Sequence, residues 1–307
     1  MGVFDFLKCL KRPIRPYDEG HLPARDGHRI YYQQVGNPRG EVVLSFHGGP
    51  GSSSSPEYAG IFNLKKYRVI LFDQRACGRS LFKDAFHKNT IQDTMADAVR
   101  LLDHLNVAGK IIACGASFGA TCATLFAQTH PRRVKQVVLV SVFLGRKRDT
   151  ALFGSSAPLF YPDAVDVFRA QAGRKSVDDY YHALIFSPDK ADQKKALRYY
   201  GSFEHRLGDA AVAFDAPELT DEAVLKFRIV MHYTKHNMFL TDGQLIKNAS
   251  KMAHIPTIIY QNRLDFCCPP YQAYDLHKAL PQSRLVLFAD TGHGSPKLYR
   301  RVRRDFD

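Results

Sequence analysis

The stretch IIACGASFGATCATLF, residues 111–126, decides the fold. Its first residues are apolar, as in a strand buried on both faces, and the residues after Ser117 predict a helix that ends before Pro131. A strand that becomes a helix within one residue forces that residue into a strained backbone. Gly115 and Gly119 remove the Cβ atoms that would clash in so tight a turn. The pattern therefore predicts a nucleophile elbow that presents Ser117 at a helix N-terminus, where an anion is favoured.

Apolar runs alternate with helical patterns along most of the chain, which predicts an α/β fold with a mostly parallel sheet flanked by helices. The predicted strands are residues 29–34, 42–46, 68–72, 111–114, 136–140, 257–261 and 284–288. The alternation fails over residues 144–251, where helical, aromatic and charged segments follow one another. We therefore expect a core made of residues 1–143 and 252–307 and an inserted helical cap over residues 144–251, called the cap segment below. Thr90 and Asp93 predict a capping box at the start of one core helix.

Composition excludes several classes of protein. The chain has 307 residues, is 45% hydrophobic and carries a net charge of +13. No nucleic-acid-binding motif accompanies its basic clusters, so we expect a solvated basic surface and no nucleic-acid partner. The six cysteines form no C-x-x-C pair, and no H-E-x-x-H occurs, so we expect free thiols, no metal and no cofactor.

The same composition bears on location. No apolar run reaches the length of a membrane span, and the first fifteen residues do not match a secretory signal. We therefore expect a cytoplasmic protein without stable membrane association. Its oligomeric state does not follow from the sequence.

A serine hydroxyl needs a general base, and that base needs a carboxylate to orient it. In this fold class the chain order is serine, acid, histidine. Asp265 follows the strand predicted over residues 257–261, and His293 follows the last predicted strand, between two glycines. Both positions lie at the sheet edge where Ser117 emerges, so we predict Ser117, Asp265 and His293 as the catalytic residues. The rival candidates are Asp290 as the acid and His254 and His277 as the base.

The oxyanion of an acyl-transfer reaction needs backbone N–H donors. The segment SFHGGPG, residues 45–51, follows a predicted strand and can turn its amides toward the serine. We predict one donor at Gly48 or Gly49 and the other at Phe118. A phosphate-binding loop is the weaker alternative, because no lysine follows and no G-x-G-x-x-G is present.

Beyond these motifs, residues 17–294 resemble the prolyl aminopeptidases, or proline iminopeptidases, of the α/β-hydrolase superfamily. The resemblance rests on DGHRIYYQQVGNP (26–38), HGGPGSSSSP (47–56), YRVILFDQRACGRS (67–80) and AQTHPRRVKQVVLVSVFLGR (127–146). It implies an enzyme that releases N-terminal proline from peptides with a serine, an aspartate and a histidine, without metal or cofactor.

The chain departs from the family pattern at several positions. Ala76 stands where the family usually has glycine, and Phe118 where it has tryptophan. The family implies two cap glutamates that hold the substrate's ammonium group. Glu204 matches the first, but Val230 replaces the second, in a segment that also carries Tyr233. Glu204, Val230 and Tyr233 are thus the predicted substrate-binding residues.

Two alternatives to the aminopeptidase stay open. One is an esterase or amidase that uses the same three catalytic residues on uncharged substrates, and the other is a catalytically silent binding protein on this scaffold. Val230 favours the first alternative, because it removes a carboxylate that would attract an amine.

Overall fold

An eight-stranded sheet forms the centre of the protein. The structure is a computed structural model that describes residues 13–150, 157–198, 218–289, 292–294 and 296–307. The sheet order is β1-β3-β5-β4-β7-β8-β9-β10, and β2 and β6 pair separately. The strands are β1 (Asp18–His21), β2 (His28–Arg29), β3 (Tyr31–Gly36), β4 (Glu41–Phe46), β5 (Tyr67–Phe72), β6 (Leu81–Phe82), β7 (Ile111–Ser117), β8 (Val134–Val142), β9 (Thr257–Asn262) and β10 (Arg284–Phe288).

The sheet is parallel from β5 to β10 and antiparallel at one edge, where β1 pairs with β3 and β3 with β5. The predicted α/β fold and each of the predicted strand runs are confirmed, with shifts of a few residues at their ends. In a parallel sheet the strands run in the same direction, so their carboxyl ends lie side by side along one end of the sheet, called the sheet edge of the site below. The loops after β4, β7, β9 and β10 therefore come together there, and these loops carry the predicted catalytic residues.

Helices cover both faces of the sheet. The helices are α1 (Ile91–His104), α2 (Phe118–Thr129), α3 (Lys147–Thr150), α4 (Ala157–Phe160), α5 (Pro162–Ala172), α6 (Val177–Phe186), α7 (Lys190–Ala196), α8 (Asp221–Lys235), α9 (Gln244–Lys247), α10 (Tyr271–Ala279) and α11 (Pro296–Asp305). Short 3₁₀ turns occupy Pro56–Ile61, Pro131–Arg133, Asn237–Phe239 and Ala249–Met252.

Side chains alternate between the two faces along each strand. In β4, Leu44 and Phe46 pack in an apolar cluster with α1, α2 and α10, and Val43 packs in a second cluster with α11. Both faces are thus buried, which is why these strands are apolar almost throughout.

The predicted capping box is present at the start of α1. The Thr90 hydroxyl accepts a hydrogen bond from the Asp93 amide, and the Asp93 carboxylate accepts one from the Thr90 amide. Two of the amides that would be unpaired at the helix end are thereby satisfied.

Between β8 and β9, every described element is helical. Helices α5 to α8 share an apolar cluster of their own, whereas Met238, Leu245 and Met252 pack into the core cluster beneath the sheet. The later part of the cap segment thus packs with the core, and the division into core and cap stays a prediction. Within the described residues, no helix combines the length and the apolar character that crossing a bilayer requires.

Candidate active site

Ser117 lies at the junction of β7 and α2 with a strained backbone. Its φ is 57° and its ψ is −126°, a conformation that non-glycine residues rarely adopt. The flanking glycines are needed because the chain segments touch. A Cβ at Gly115 would lie 2.0 Å from the carbonyl oxygen of Gly119, and one at Gly119 would lie 2.2 Å from that of Phe46. Strain of this kind is kept only where the surrounding structure enforces it, as functional sites often do.

Asp265 and His293 form a hydrogen-bonded pair after β9 and β10. The Nδ1 of His293 lies 2.8 Å from Oδ2 of Asp265. The Asp265 side chain is fully buried, and that of His293 is 17% exposed. Asp265 also accepts hydrogen bonds from the Cys268 amide at 2.7 Å and from Nε2 of Gln261 at 3.3 Å. Because an ionised carboxylate only accepts, His293 Nδ1 carries the proton in this pair, and in the neutral ring Nε2 is then the nitrogen that bears the lone pair.

The loop that carries His293 is anchored to two strands. The Ser141 hydroxyl, in β8, donates to the carbonyl oxygen of His293 at 2.9 Å. The Asn262 side chain, in β9, donates to the carbonyl oxygen of Gly292 at 2.5 Å. The position of the imidazole is therefore set by the sheet as well as by Asp265.

The rival candidates have other surroundings. Nδ1 of His277 hydrogen bonds with the Ser283 hydroxyl at 2.8 Å, and His254 is exposed. Asp290 lies outside the described residues. Of the described histidines that were candidates for the base, His293 is the one that pairs with the predicted acid.

Cys268 lies close to both the serine and the histidine. Its Sγ is 3.9 Å from Oγ of Ser117. The Sγ atoms of Cys267 and Cys268 and a ring nitrogen of His293 all lie within 4.8 Å of one another. A hydrogen bond with Cys267 and burial raise the pKa of Cys268 well above its usual value, so this thiol is uncharged near neutral pH. The Ser117 hydroxyl and the hydrogen-bonded pair of Asp265 and His293 thus each lie close to Cys268.

The loop after β4 runs beside the serine and is held by His47. Nδ1 of His47 donates to the carbonyl oxygen of Gly48 at 2.8 Å, and its Nε2 accepts from the Gln74 amide at 3.0 Å. Burial lowers the pKa of His47, which keeps the ring neutral and able to accept. In a trans peptide the C=O and N–H point in opposite directions, so the N–H of Gly49 points away from His47. A Cβ at Gly48 would lie 3.5 Å from that of Ser117, which shows how close this loop comes to the elbow.

Phe118, the other predicted oxyanion donor, is held by α8. Its ring is fully buried and packs edge-on against the ring of Tyr233, with centroids 5.4 Å apart. The Tyr233 hydroxyl donates to the side-chain oxygen of Asn89 at 3.1 Å. Tyr233 was predicted to bind substrate, but its contacts are with other residues of the protein, including Phe118, Asn89 and Phe239, so that role stays a prediction.

The cap segment also touches the loop after β4. A Cβ at Gly51 would lie 2.7 Å from the carbonyl oxygen of Lys226, in α8. The loop predicted to hold the oxyanion donor is therefore in backbone contact with the same helix that packs on Phe118.

Val230 also lies on α8, within the apolar cluster of the cap segment. It is 7% exposed, and Phe266 and Cys267, which follow Asp265, pack against the same cluster. The surroundings of Val230 are thus apolar. Glu204, the other residue predicted to bind the substrate's ammonium group, lies outside the described residues.

Asp73 is a buried carboxylate that directly follows β5 and holds neighbouring loops by hydrogen bonds. Its carboxylate accepts from the Ser54 amide and hydroxyl, each at 2.6 Å, and from the Arg79 amide at 2.9 Å. Burial alone would raise the pKa of Asp73, but these hydrogen bonds outweigh it and the pKa is lowered. The carboxylate thus stays charged and ties the segment after the glycine-rich loop to the end of β5.

Comparison with known proteins identifies the family of this chain. The family model of the alpha/beta hydrolase fold matches residues 41–296. A proline iminopeptidase of Arabidopsis thaliana is 35% identical over 94% of this chain and 78% of its own length. The proline iminopeptidase of Neisseria meningitidis serogroup A is 34% identical over 91% of both chains. This chain belongs to the proline iminopeptidase family of α/β hydrolases.

Solved structures agree on the fold of this family member. A proline iminopeptidase-related protein of Thermus thermophilus superposes with a TM-score of 0.61 at 18% identity, covering 95% of this chain and 97% of its own. An esterase of a Rhodococcus species gives a TM-score of 0.62 at 19% identity, covering 94% and 98%. At these identities the likeness establishes the fold alone.

The sequence analysis missed several residues of this proline iminopeptidase-like site. Gln261 donates a hydrogen bond to the predicted acid, and His47 hydrogen bonds with the glycine-rich loop and with Gln74, but no local pattern marks either residue. The grouping of Cys267 and Cys268 with His293 could have been suspected from one signal, since both cysteines follow the predicted acid within three residues.

Proposed function

We propose that this protein is a serine hydrolase that releases N-terminal proline from peptides, with Ser117 as nucleophile, His293 as general base and Asp265 as the acid that orients it. The observation that carries the proposal is the 2.8 Å hydrogen bond between Asp265 and His293 at the sheet edge where Ser117 emerges. The relatives named proline iminopeptidase support the choice of substrate.

In the proposed reaction the Oγ of Ser117 attacks the carbonyl carbon of proline while Nε2 of His293 takes its proton. The imidazolium that forms is stabilised by the Asp265 carboxylate. It then gives the proton to the leaving amine, and water hydrolyses the acyl-enzyme by the same steps. No metal or cofactor takes part in this scheme.

The tetrahedral oxyanion would be held by backbone amides. The N–H groups of Gly49 and Phe118 are our candidates, because one points away from His47 and the other begins helix α2 beside the serine. Loss of one such donor typically costs about 10²–10³ in kcat.

An esterase or amidase acting on uncharged substrates is the second candidate. It is favoured by Val230, which is buried among apolar side chains where the family pattern has a glutamate. Burying an ammonium group without a carboxylate partner costs free energy. Val230 provides no carboxylate at this position, so it does not favour a substrate with a free amine.

The two candidates are separated by kcat/KM for a proline arylamide and for an aryl ester with the same leaving group, measured on one enzyme preparation. We expect the arylamide to be a substrate and Ser117→Ala to abolish turnover of both compounds, by about 10⁶ in kcat. Turnover of the ester alone would establish the esterase, and a Ser117→Ala variant that keeps its turnover would exclude Ser117 as the nucleophile.

A silent binding protein is tested by labelling. A fluorophosphonate probe should modify Ser117 in the wild type and leave Ser117→Ala unmodified, as read by mass spectrometry of the labelled peptide. If the wild type is not labelled and also turns over neither substrate, the protein is a binding protein without hydrolase activity.

A further inference from the structure

Gln261, near the end of β9, connects the strand beside the nucleophile to the predicted acid. Its side chain is fully buried. Its Oε1 accepts a hydrogen bond from the amide of Val142 at 2.9 Å, and Val142 is the residue of β8 that pairs with Ser117. Its Nε2 donates to the carbonyl oxygen of Cys268 at 2.9 Å and to Oδ2 of Asp265 at 3.3 Å. One side-chain amide thus spans the distance from the neighbour of the nucleophile to the acid.

The orientation of this amide follows from its partners. A backbone N–H can only donate, so the atom of Gln261 that faces Val142 is the oxygen. The nitrogen therefore faces the acid, and it also lies 3.2 Å from the carbonyl oxygen of Asn262. Its partners are oxygen acceptors, so turning the amide over would place oxygen against oxygen. Gln261 is thus a fixed donor to the acid.

Strand β8 has an extra residue opposite the nucleophile elbow. The register shifts so that Ser117 pairs with Val142, and Ser141 is the extra residue. Its φ is 49°, which non-glycine residues rarely adopt. The backbone pairing of β8 with β9 ends before this point, so the buried Val142 amide takes its acceptor from the side chain of Gln261. Because the Ser141 hydroxyl also donates to the carbonyl oxygen of His293, this part of β8 holds segments of all three predicted catalytic residues.

Gln261 restricts the acid in two ways. Oδ2 of Asp265 accepts from Nδ1 of His293 and from Gln261, so the donated bond keeps that oxygen on the histidine side. Oδ1 accepts from the amide of Cys268, whose carbonyl oxygen is held by the same Gln261 nitrogen. The side chain thus bonds both the carboxylate and the turn that carries it, and each contact opposes rotation of the carboxylate away from the imidazole.

We propose that Gln261 is a positioning residue, which holds Asp265 in the orientation that stabilises the imidazolium of His293. The inference rests on the proposed function and adds that the alignment of the acid is set from β8 through one side-chain amide. General acid–base catalysis contributes about 10²–10⁴ in rate, and a misplacement of about 1 Å can cost about 10². Loss of the Gln261 nitrogen should therefore lower kcat by about 10- to 100-fold with Ser117 and both of its partners still present.

Gln272, in α10, offers a matched control. It is also fully buried, and its Oε1 accepts a hydrogen bond from the amide of Leu144, just beyond β8, at 2.8 Å. Among the described residues, none accepts a hydrogen bond from its Nε2. Gln261→Met and Gln272→Met each remove an acceptor from a buried backbone amide, so we expect similar losses in free energy of unfolding. Of the two, Gln261→Met also removes a donor to the acid.

The test compares kcat of both variants on the preferred substrate, at a temperature where circular dichroism shows each to be fully folded. We expect Gln261→Met to lose about 10- to 100-fold in kcat with KM changed by less than about threefold, since alignment of the acid acts on the transition state. Gln272→Met should keep kcat within about threefold of wild type. Equal losses in the two variants would mean that Gln261 supports the fold alone, and an unchanged kcat in Gln261→Met would equally overturn the proposal.

Gln261→Glu is the second variant, because it keeps the shape of the side chain and the acceptor for Val142. It sets a carboxyl group against Asp265, and two carboxyl groups this close hold a proton between them. The protonated group can donate to Asp265 as the amide does, whereas ionisation at higher pH would set two negative charges side by side. We expect kcat above that of Gln261→Met at the lower end of the pH range, with a decline at higher pH that the wild type does not share. A variant as slow as Gln261→Met at every pH would contradict the role of the donated hydrogen bond.

A measurement without turnover separates this inference from the proposed function. With isotope-labelled histidine, the proton between Nδ1 of His293 and Asp265 should give a magnetic resonance signal far downfield of the backbone amides, assigned by its loss in Asp265→Asn. We expect the signal in wild type and Gln272→Met, and broadening by faster exchange with water in Gln261→Met. If it behaves so while no substrate is turned over, the proposed function fails and the positioning of Asp265 by Gln261 stands. A signal missing from the wild type, or unchanged in Gln261→Met, would overturn the inference.

Discussion

Replacing Asp265 with asparagine tests the proposed catalytic pair most directly. The side chain is fully buried and accepts three hydrogen bonds. Its Oδ2 accepts from His293 and from Gln261, and its Oδ1 accepts from the Cys268 amide. Asparagine has nearly the same shape but carries two N–H donors in place of one oxygen, so at least one of these bonds turns into a contact between two donors.

The amide can sit in two orientations, and both impair the site. With its nitrogen in place of Oδ2, it faces the donors of His293 and Gln261. His293 can relieve one clash by moving its proton to Nε2, where it can no longer accept the serine proton. With its nitrogen in place of Oδ1, it faces the Cys268 amide, and a buried donor left unpaired costs about 1–3 kcal/mol of stability. In either case the imidazolium loses its anion.

We therefore expect Asp265→Asn to fold, to lose about 1–3 kcal/mol in free energy of unfolding, and to lose about 10⁴ in kcat, as comparable replacements in such triads do. That loss corresponds to about 5 kcal/mol of transition-state stabilisation. The measurements are urea unfolding followed by circular dichroism and kcat on the preferred substrate. Asp275→Asn is the control, because that carboxylate pairs with Arg146 and should leave kcat close to wild type. A kcat for Asp265→Asn within tenfold of wild type, together with a large loss in Asp290→Asn, would refute the assignment of the acid.

Three further outcomes are expected. Gly119→Ala should lower the free energy of unfolding by about 1–3 kcal/mol in urea titrations, because the added Cβ would lie 2.2 Å from the Phe46 carbonyl oxygen and the elbow must shift; an unchanged midpoint would contradict the tight contact. Burial lowers the pKa of His47 from its usual 6.5, so the unfolded chain takes up a proton there that the folded chain does not. Stability should fall as the pH drops through that range, and His47→Gln should lessen the difference between urea unfolding at about pH 7.5 and about pH 5.5; an unaltered difference would exclude this contribution. The last outcome concerns the ratio of kcat/KM for proline arylamide to kcat/KM for aryl ester. Glu204→Gln should lower this ratio by at least about tenfold, since losing one partner of a desolvated charge pair costs about 2–5 kcal/mol, and Val230→Glu should raise it. A ratio that neither variant changes would favour the esterase.

The parts of the fold that could be predicted are those marked by a local sequence pattern, such as an apolar run. Strands β4, β7 and β9 are buried on both faces and so read as apolar runs. Strand β1 has the sequence DEGH and lies at the antiparallel edge of the sheet, where it needs no apolar face, so no apolar run marks it. Ser117 and His293 stood out because glycines flank them. The hydrogen bond from Gln261 to Asp265 and the approach of Cys267 to His293 depend on how loops fold back at the sheet edge, and no spacing along the chain encodes that.

Helix α8 touches Phe118 and the loop that carries Gly48 and Gly49, since the Tyr233 ring packs on Phe118 and the Lys226 carbonyl lies against Gly51. The helix that carries the predicted substrate-binding residues Val230 and Tyr233 thus also packs against the segments predicted to hold the oxyanion. Engineering that reshapes α8 to admit new substrates would therefore alter turnover along with selectivity, and a random library along this helix should yield few variants that change one without the other. Selectivity is better sought from α4 and α5, where Leu159, Phe160 and Val167 are exposed. Phe160 stacks on Phe266, the residue after Asp265, with ring centroids 4.3 Å apart. Substitutions at Phe160 would therefore act next to the segment that carries the predicted acid.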